Sequence, residues 1–278
     1  MIRFFTMASD ARYNDFSRFC RFFFAFNPES DLYVIPFDEA MSRISRLSSN
    51  CTRIKIIDVN PEIDDIGRKI YGSECYRSNV PSWRYFRKFN AFCGHNHSFV
   101  FLDANSIVLS TWGASWYFPK MGQRSVYFRG PSKLSRTILN GHIAQSMSEL
   151  GLNSQTGYNM GGFISHGGVF DPILAQALAR PELRRLFGRA PEQAFMAFYL
   201  SVFGIENGLM TALEPNIRLR HQGEDLITQA GSTFCRKSNN KIFALTKYTG
   251  SEYTPHASII EEILKERLAQ ICGLGSHA

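Results

Sequence analysis

The chain has 278 residues, is 44% hydrophobic with 24 Phe, and carries a formal net charge of +7, with a pI near 9.1. That composition can bury a substantial core and excludes a disordered chain. The positive balance favours anionic ligands such as nucleotide phosphates, but Lys and Arg are scattered without a continuous basic tract, which argues against nucleic acid.

Cys20, Cys51, Cys75, Cys93, Cys235 and Cys272 lie far apart with no CxxC pair, the usage of a reduced, cytoplasmic protein. Cys93, His95 and His97 fall at a spacing that matches no usual zinc framework. The apolar start is too short for a signal peptide, and Arg18–Phe26 is too short to span a bilayer. A soluble chain is expected.

Residues Ile2–Ala8 read as a first strand, followed by the polar turn Ser9-Asp10-Ala11-Arg12. Tyr13, Phe16, Phe19, Cys20, Phe23 and Phe26 then recur at three- and four-residue spacing, one buried helix face that Asn27-Pro28 stops. Asp31–Phe37 and Thr52–Val59 are strands on either side of a helix over Asp38–Leu47. This alternation predicts βαβ units and a mostly parallel sheet. Helices are expected over Pro61–Tyr71 and Trp83–Phe92, the second placing Arg84, Arg87 and Lys88 just ahead of the next strand.

The stretch Phe99–Leu109, which holds that strand, is the most informative. A continuous apolar run with aromatic and β-branched members reads as a strand buried on both faces. It is interrupted by Asp103, Ala104 and Asn105, which would be oxygen ligands at the rim of the sheet or simply an Asx-type turn. Beyond it come an aromatic segment with Trp112 and Trp116, a strand at Ser125–Arg129, and a helix over Ser135–Leu150 closed by Gly151. The glycine-rich run Tyr158–Gly168 does not fit the dinucleotide fingerprint; its paired glycines let backbone approach a ligand. Helices follow over Asp171–Leu178 and Pro191–Leu200, then a strand at Lys241–Thr246 and a closing helix over Ile259–Ile271. No repeat or low-complexity linker divides the chain, so one domain, 1–278, is expected.

Four segments, in order, resemble the nucleotide-sugar glycosyltransferases of the GT-A fold, the glycogenin and lipopolysaccharide galactosyltransferase type. Phe101-Leu102-Asp103-Ala104-Asn105 resembles their "YLDxD" strand end, and Tyr158-Asn159-Met160-Gly161-Gly162-Phe163 their "FNxGv" segment. Pro191-Glu192-Gln193 is similar to their "DQ" helix start, and Lys247–Gly250 with Pro255 to their late "HxxGxxKPW".

The resemblance implies an α/β, GT-A-like fold: a mostly parallel central sheet flanked by helices, with a nucleotide-binding half (1–110) and an acceptor and donor-sugar half (111–278). It implies transfer of a sugar, UDP-linked by analogy, to a hydroxyl of a glycan, lipid or protein. Ser9, Asp10, Arg84, Asp103, Ala104, Asn105, Asn159, Gly161, Gly162, Lys247 and Gly250 would contact the donor. Trp112, Trp116 and His166 would meet the acceptor.

Glu192 is a candidate general base or a first-turn Glu placed for the helix dipole, with Gln193 beside it on the donor sugar. Asp171 is a second candidate base or an N-cap. In the family both acids of the strand end and the late His serve a divalent metal. Here Asp103 and Asn105 would hold Mn²⁺ or Mg²⁺ weakly, because Asn105 replaces a carboxylate and Lys247 the His. Lys247, with Arg84, could instead supply positive charge to the diphosphate without a metal. The alternatives are a sugar-phosphate nucleotidyltransferase, disfavoured because Ser9–Arg12 lacks glycine, and a non-catalytic anionic glycan or nucleic-acid binding module. Arg180, Arg184, Arg185 and Arg189 are either a peripheral contact with the inner face of a membrane or a solvated helix face.

Overall fold

The computed structural model describes residues 2–77, 80–94, 97–111, 118–129, 131–132, 157–185, 187, 191–213, 217–221, 226–229, 232–235, 241–246 and 257–274. Strand β1 (Ile2–Ala8) leads through a 3₁₀ turn into α1 (Tyr13–Phe26), which buries Phe16, Phe19, Cys20, Phe23 and Phe26 as its spacing predicts. β2 (Leu32–Pro36) is followed by α2 (Ser42–Asn50), four residues later than expected because Asp38 turns back to accept a hydrogen bond from Ala40 N. β3 (Ile54–Ile56) leads to α3 (Pro61–Tyr71). Asn60 caps α3, accepting from Glu62 N, and Gly72 ends it at φ +54°, a conformation that favours glycine.

β4 (Cys75–Arg77) and β5 (Val80–Pro81) form a small antiparallel pair. The segment Ser82–Phe92 is helical as expected, but wound as 3₁₀. In that winding residues three apart eclipse one another, so Phe86, Phe89 and Phe92 line up in one fully buried row. β6 (Ser98–Leu102) then enters the centre of the sheet. β6 ends just before Asp103, where the polar residues interrupt the apolar run; a turn closed by Ser106 N on Asp103 O separates it from β7 (Ile107–Val108), which joins a different sheet.

The remaining strands are β8 (Ser125–Phe128), β9 (Pro131–Ser132), β10 (Gly157–Tyr158), β11 (Gly162–His166), β12 (Glu206–Leu209), β13 (Ile217–His221), β14 (Leu226–Gln229), β15 (Ser232–Cys235) and β16 (Lys241–Thr246). Helices occupy Pro172–Leu178, Pro191–Val202 and Ala257–Leu274, the last extending the expected closing helix at both ends. The expected helix over 135–150 lies outside the described residues.

The central sheet has the order β12-β8-β11-β6-β1-β2-β3. All its pairs are parallel except those of β11, which runs against both β6 and β8. Alternation along the strands divides the core in two. Phe4, Val100, Leu102 and Ile164 pack on one face with α1, whereas Phe5, Phe99, Phe101 and Phe163 pack on the other with α3 and Ser82–Phe92. This two-sided burial is why β6 is an unbroken apolar run. A second sheet, β13-β16-β15-β14 with β7 on β16, lies beside it in the topology.

From β1 the chain builds outward through β2 and β3, then returns to lay β6 on the other side of β1. Such a reversal opens a crevice at the carboxyl ends of the two strands, the place where α/β sheets hold ligands. Ser9 and Asp103 are the residues immediately beyond β1 and β6.

Candidate active site

Five chain segments meet at the rim beyond β6. Gly162, the first residue of the reversed strand β11, pairs with Leu102, the last of β6, so the loop before β11 is delivered to Asp103. Asp103 N donates to Gly161 O at 3.1 Å, and Arg129 N, just past β8, donates to Gly162 O at 2.9 Å. Asn159 folds its side-chain oxygen back onto Gly161 N at 2.9 Å. A Cβ at Gly161 would lie 2.9 Å from Asp103 Oδ2, 3.1 Å from Asn159 Oδ1 and 3.5 Å from Arg129 Cζ. A side chain at Gly161 would displace these polar groups, so glycine lets them crowd the backbone; the close approach seen here is to side chains of the protein rather than to a ligand.

The centre of the cluster is Lys88. Its ammonium lies 2.8 Å from Asp103 Oδ1 and 3.9 Å from Glu192 Oε1, and it donates to Met160 O at 3.2 Å. It also sits 5.5 Å from the centre of the Phe101 ring. The Lys88 and Glu192 side chains are only 6% and 5% exposed, whereas Asp103 keeps 27%.

Burial pushes the Glu192 carboxyl pKa up and Asp103 adds to the rise, with Lys88 pulling the other way. Burial likewise disfavours the charge on Arg129, and Asp103 supports it. Glu192 Oε2 and Asn105 Oδ1 are buried and have no hydrogen-bond partner among the described residues. Two carboxylates, two cations and an amide oxygen without a partner among the described residues, walled by β6 and its neighbours, can bind an anion and accept a proton.

The other expected site residues are distributed as follows. Ala104 is buried in the turn beside Asp103, and Gln193 follows Glu192 on the helix Pro191–Val202. Ser9 is buried at the end of β1. Asp10 holds the start of α2, accepting from Ser42 Oγ and from the backbone of Arg43 and Ile44.

Arg84 stands just beyond the carboxyl end of β2 rather than against Asp103: its guanidinium pairs with Glu39 at 2.6 Å and Asp38 at 3.9 Å. Asp171 serves as the N-cap of Pro172–Leu178, accepting from Ile173 N and Leu174 N. His166 bonds Ser98 Oγ at 2.9 Å, at the opposite end of β6 from Asp103, which places it away from an acceptor at this rim. It borders a separate cavity of about 430 Å³ with His97, Ser98, Gln123, Arg124 and Gly167. Trp112, Trp116, Lys247 and Gly250 lie outside the described residues.

Sequence reading selected Arg84 and missed Lys88 and Arg129. On an α-helix Arg84 and Lys88 would stand about 40° apart, on one face. In the 3₁₀ winding they stand about 120° apart, so Arg84 and Arg87 turn to Glu39 and Asp64 while Lys88 turns to Asp103. The cluster Arg84, Arg87 and Lys88 was visible; which member faced the rim depended on the helix type.

Among the described residues no group of three His, Cys, Asp or Glu could hold a metal ion. Among the described residues at the rim, those that could face Mn²⁺ or Mg²⁺ are two carboxylates, Asp103 and Glu192, both beside the Lys88 ammonium, and one neutral amide oxygen, that of Asn105. Hard divalent cations need several oxygens free to approach them, and an ammonium already seated between the carboxylates means that this described donor set does not fit them. No helix among the described residues is long and apolar enough to cross a membrane.

No family model and no curated protein matches the sequence. Among solved structures, mouse xyloside xylosyltransferase 1 in its apo form is 12% identical, with a TM-score of 0.48 over 75% of this chain and 85% of that one. The galactosyltransferase LgtC in complex with donor and acceptor sugar analogs is 14% identical, with a TM-score of 0.46 over 75% and 73%. An active-site mutant of LgtC is 10% identical and reaches a TM-score of 0.53 over 96% of both chains. Near-complete coverage in both directions, with the mostly parallel seven-stranded sheet, shows that this chain has a GT-A-like fold resembling that of LgtC.

Proposed function

We propose that the protein transfers a sugar from a nucleotide-linked donor, UDP-linked by analogy, to a hydroxyl acceptor. The observation that carries this is the Lys88–Asp103–Glu192 cluster at the strand-order reversal of a GT-A-like sheet. A departing nucleoside diphosphate needs fixed positive charge, which Lys88 and Arg129 supply. Asn159 and Gln193 would hydrogen-bond the donor sugar.

Glu192 suits a proton acceptor better than a dipole-stabilising first-turn Glu: it is 4% exposed, and burial raises its proton affinity. In the transfer, the acceptor oxygen bonds to the anomeric carbon and its proton passes to Glu192. The bond from that carbon to the phosphate oxygen breaks, its electron pair staying on the diphosphate. The nucleotidyltransferase alternative is not favoured, because the segment after β1 neither carries glycine nor frees Asp10.

A thermal-shift panel of UDP, ADP, GDP and single-stranded RNA tests the reading. Stabilisation by UDP is expected, reaching about 2.7 kcal/mol at a hundredfold excess over Kd. Stabilisation by RNA with no response to any nucleoside diphosphate would refute it in favour of a binding module.

A further inference from the structure

The cation at the rim carboxylate belongs to the protein itself. Lys88 reaches Asp103 Oδ1 at 2.8 Å and Met160 O at 3.2 Å, which occupies two of its three N–H donors among the described residues. It is 5% exposed and held over the Phe101 ring, so its position is fixed before any ligand arrives. The second carboxylate near it, Glu192, approaches the same ammonium rather than a shared vacant point. The position two residues after Asp103 carries an amide, Asn105.

Building on the donor reading above, we propose that Lys88 stands where a divalent cation would otherwise serve. Its remaining N–H donor, with the Arg129 guanidinium, holds the diphosphate of the nucleotide-sugar and receives the charge that develops there, so that transfer requires no metal. When the bond from the anomeric carbon to the phosphate oxygen breaks, the diphosphate gains one negative charge. Lys88 stabilises it by hydrogen bonding and charge, keeping its own proton. A divalent ion on Asp103 Oδ1 would have to displace an ammonium that is nearly enclosed.

The test is calorimetric titration of the full chain with UDP, first in excess chelator and then with Mn²⁺, with the free Mn²⁺ signal followed by electron paramagnetic resonance. The Kd values are expected to agree within about threefold, and the protein should remove no Mn²⁺ beyond what UDP alone removes. Lys88→Met should weaken UDP by about ten- to a hundredfold, the size of a lost bond to a charged group, and Lys88→Arg should recover part of it. If Lys88→Met does not fold, the metal arm on the unaltered chain decides. UDP binding that appears only with Mn²⁺ overturns the inference and leaves the donor reading standing. No binding of UDP, ADP or GDP under either condition overturns both.

Discussion

At the rim, Glu192 carries an acid buried with incomplete pairing. Its carboxyl is almost wholly buried, Oε2 has no hydrogen-bond partner among the described residues, and Lys88 is 3.9 Å from Oε1. Burial, reinforced by Asp103, sets its pKa above the usual carboxylate value. The unfolded chain therefore loses this proton at lower pH than the folded one, and stability falls as pH rises between the two values. Glu192→Gln, which keeps the shape without the charge, removes that fall. Urea unfolding at about pH 4 should find variant and parent alike, and at about pH 8 should find the variant more stable, each tenfold change in proton affinity amounting to about 1.4 kcal/mol. A variant less stable at both values would mean that Lys88 more than compensates the buried charge. As the proton acceptor proposed above, Glu192 should also be needed for activity, which is expected to fall in the same variant. The sequence marked Glu192 because it stands beside Gln193 at a helix start, but only the fold shows that this start is buried against Lys88.

At the scale of elements, the site depends on how α3 seats the segment Ser82–Phe92. A Cβ at Gly67 of α3 would lie 2.9 Å from both Cβ and the carbonyl oxygen of Trp83. Gly67→Ala therefore sets two effects against each other: a gain of up to about 1 kcal/mol in helix propensity and an overpacking cost of about 1–3 kcal/mol. Backbone atoms of Trp83 must move, so the cost should win. The urea midpoint is expected to fall, and UDP binding to weaken because Lys88 rides on the same segment; a raised midpoint would show that the seating is soft. The boundaries of α3 were legible from Asn60, Pro61 and Gly72, since caps are local chemistry. The 3₁₀ winding of Ser82–Phe92 was not, because its row of Phe86, Phe89 and Phe92 fits a three-residue period and, loosely, a 3.6-residue one. Within Phe99–Leu109 the break at Asp103–Asn105 was legible, but hydropathy does not report that β6 and β7, both buried, belong to different sheets.

Across the whole molecule, the rim rests on a continuous aromatic core. Phe163, in the reversed strand β11, stacks on Phe101 with ring centres 4.8 Å apart and on Phe92 at 5.3 Å, and meets Phe99 and Phe128 edgewise or tilted. Phe101 in turn lies under the Lys88 ammonium. The 24 Phe of the composition foretold an aromatic core, but the placement of β11 between β6 and β8 is a long-range pairing that no local pattern encodes. Removing this one ring joins stability to the site. Phe163→Ala should cost about 3–5 kcal/mol, a large part of a typical domain's total of about 5–15 kcal/mol. Denaturant unfolding would read this as a lower midpoint with an unchanged slope. Under native conditions the variant should also bind UDP more weakly, because a cavity beside Phe101 removes the floor on which Lys88 is held. Loss of stability with UDP affinity intact would show instead that Asp103 and Met160 alone fix the ammonium, and that the core supports the sheet without tuning the rim.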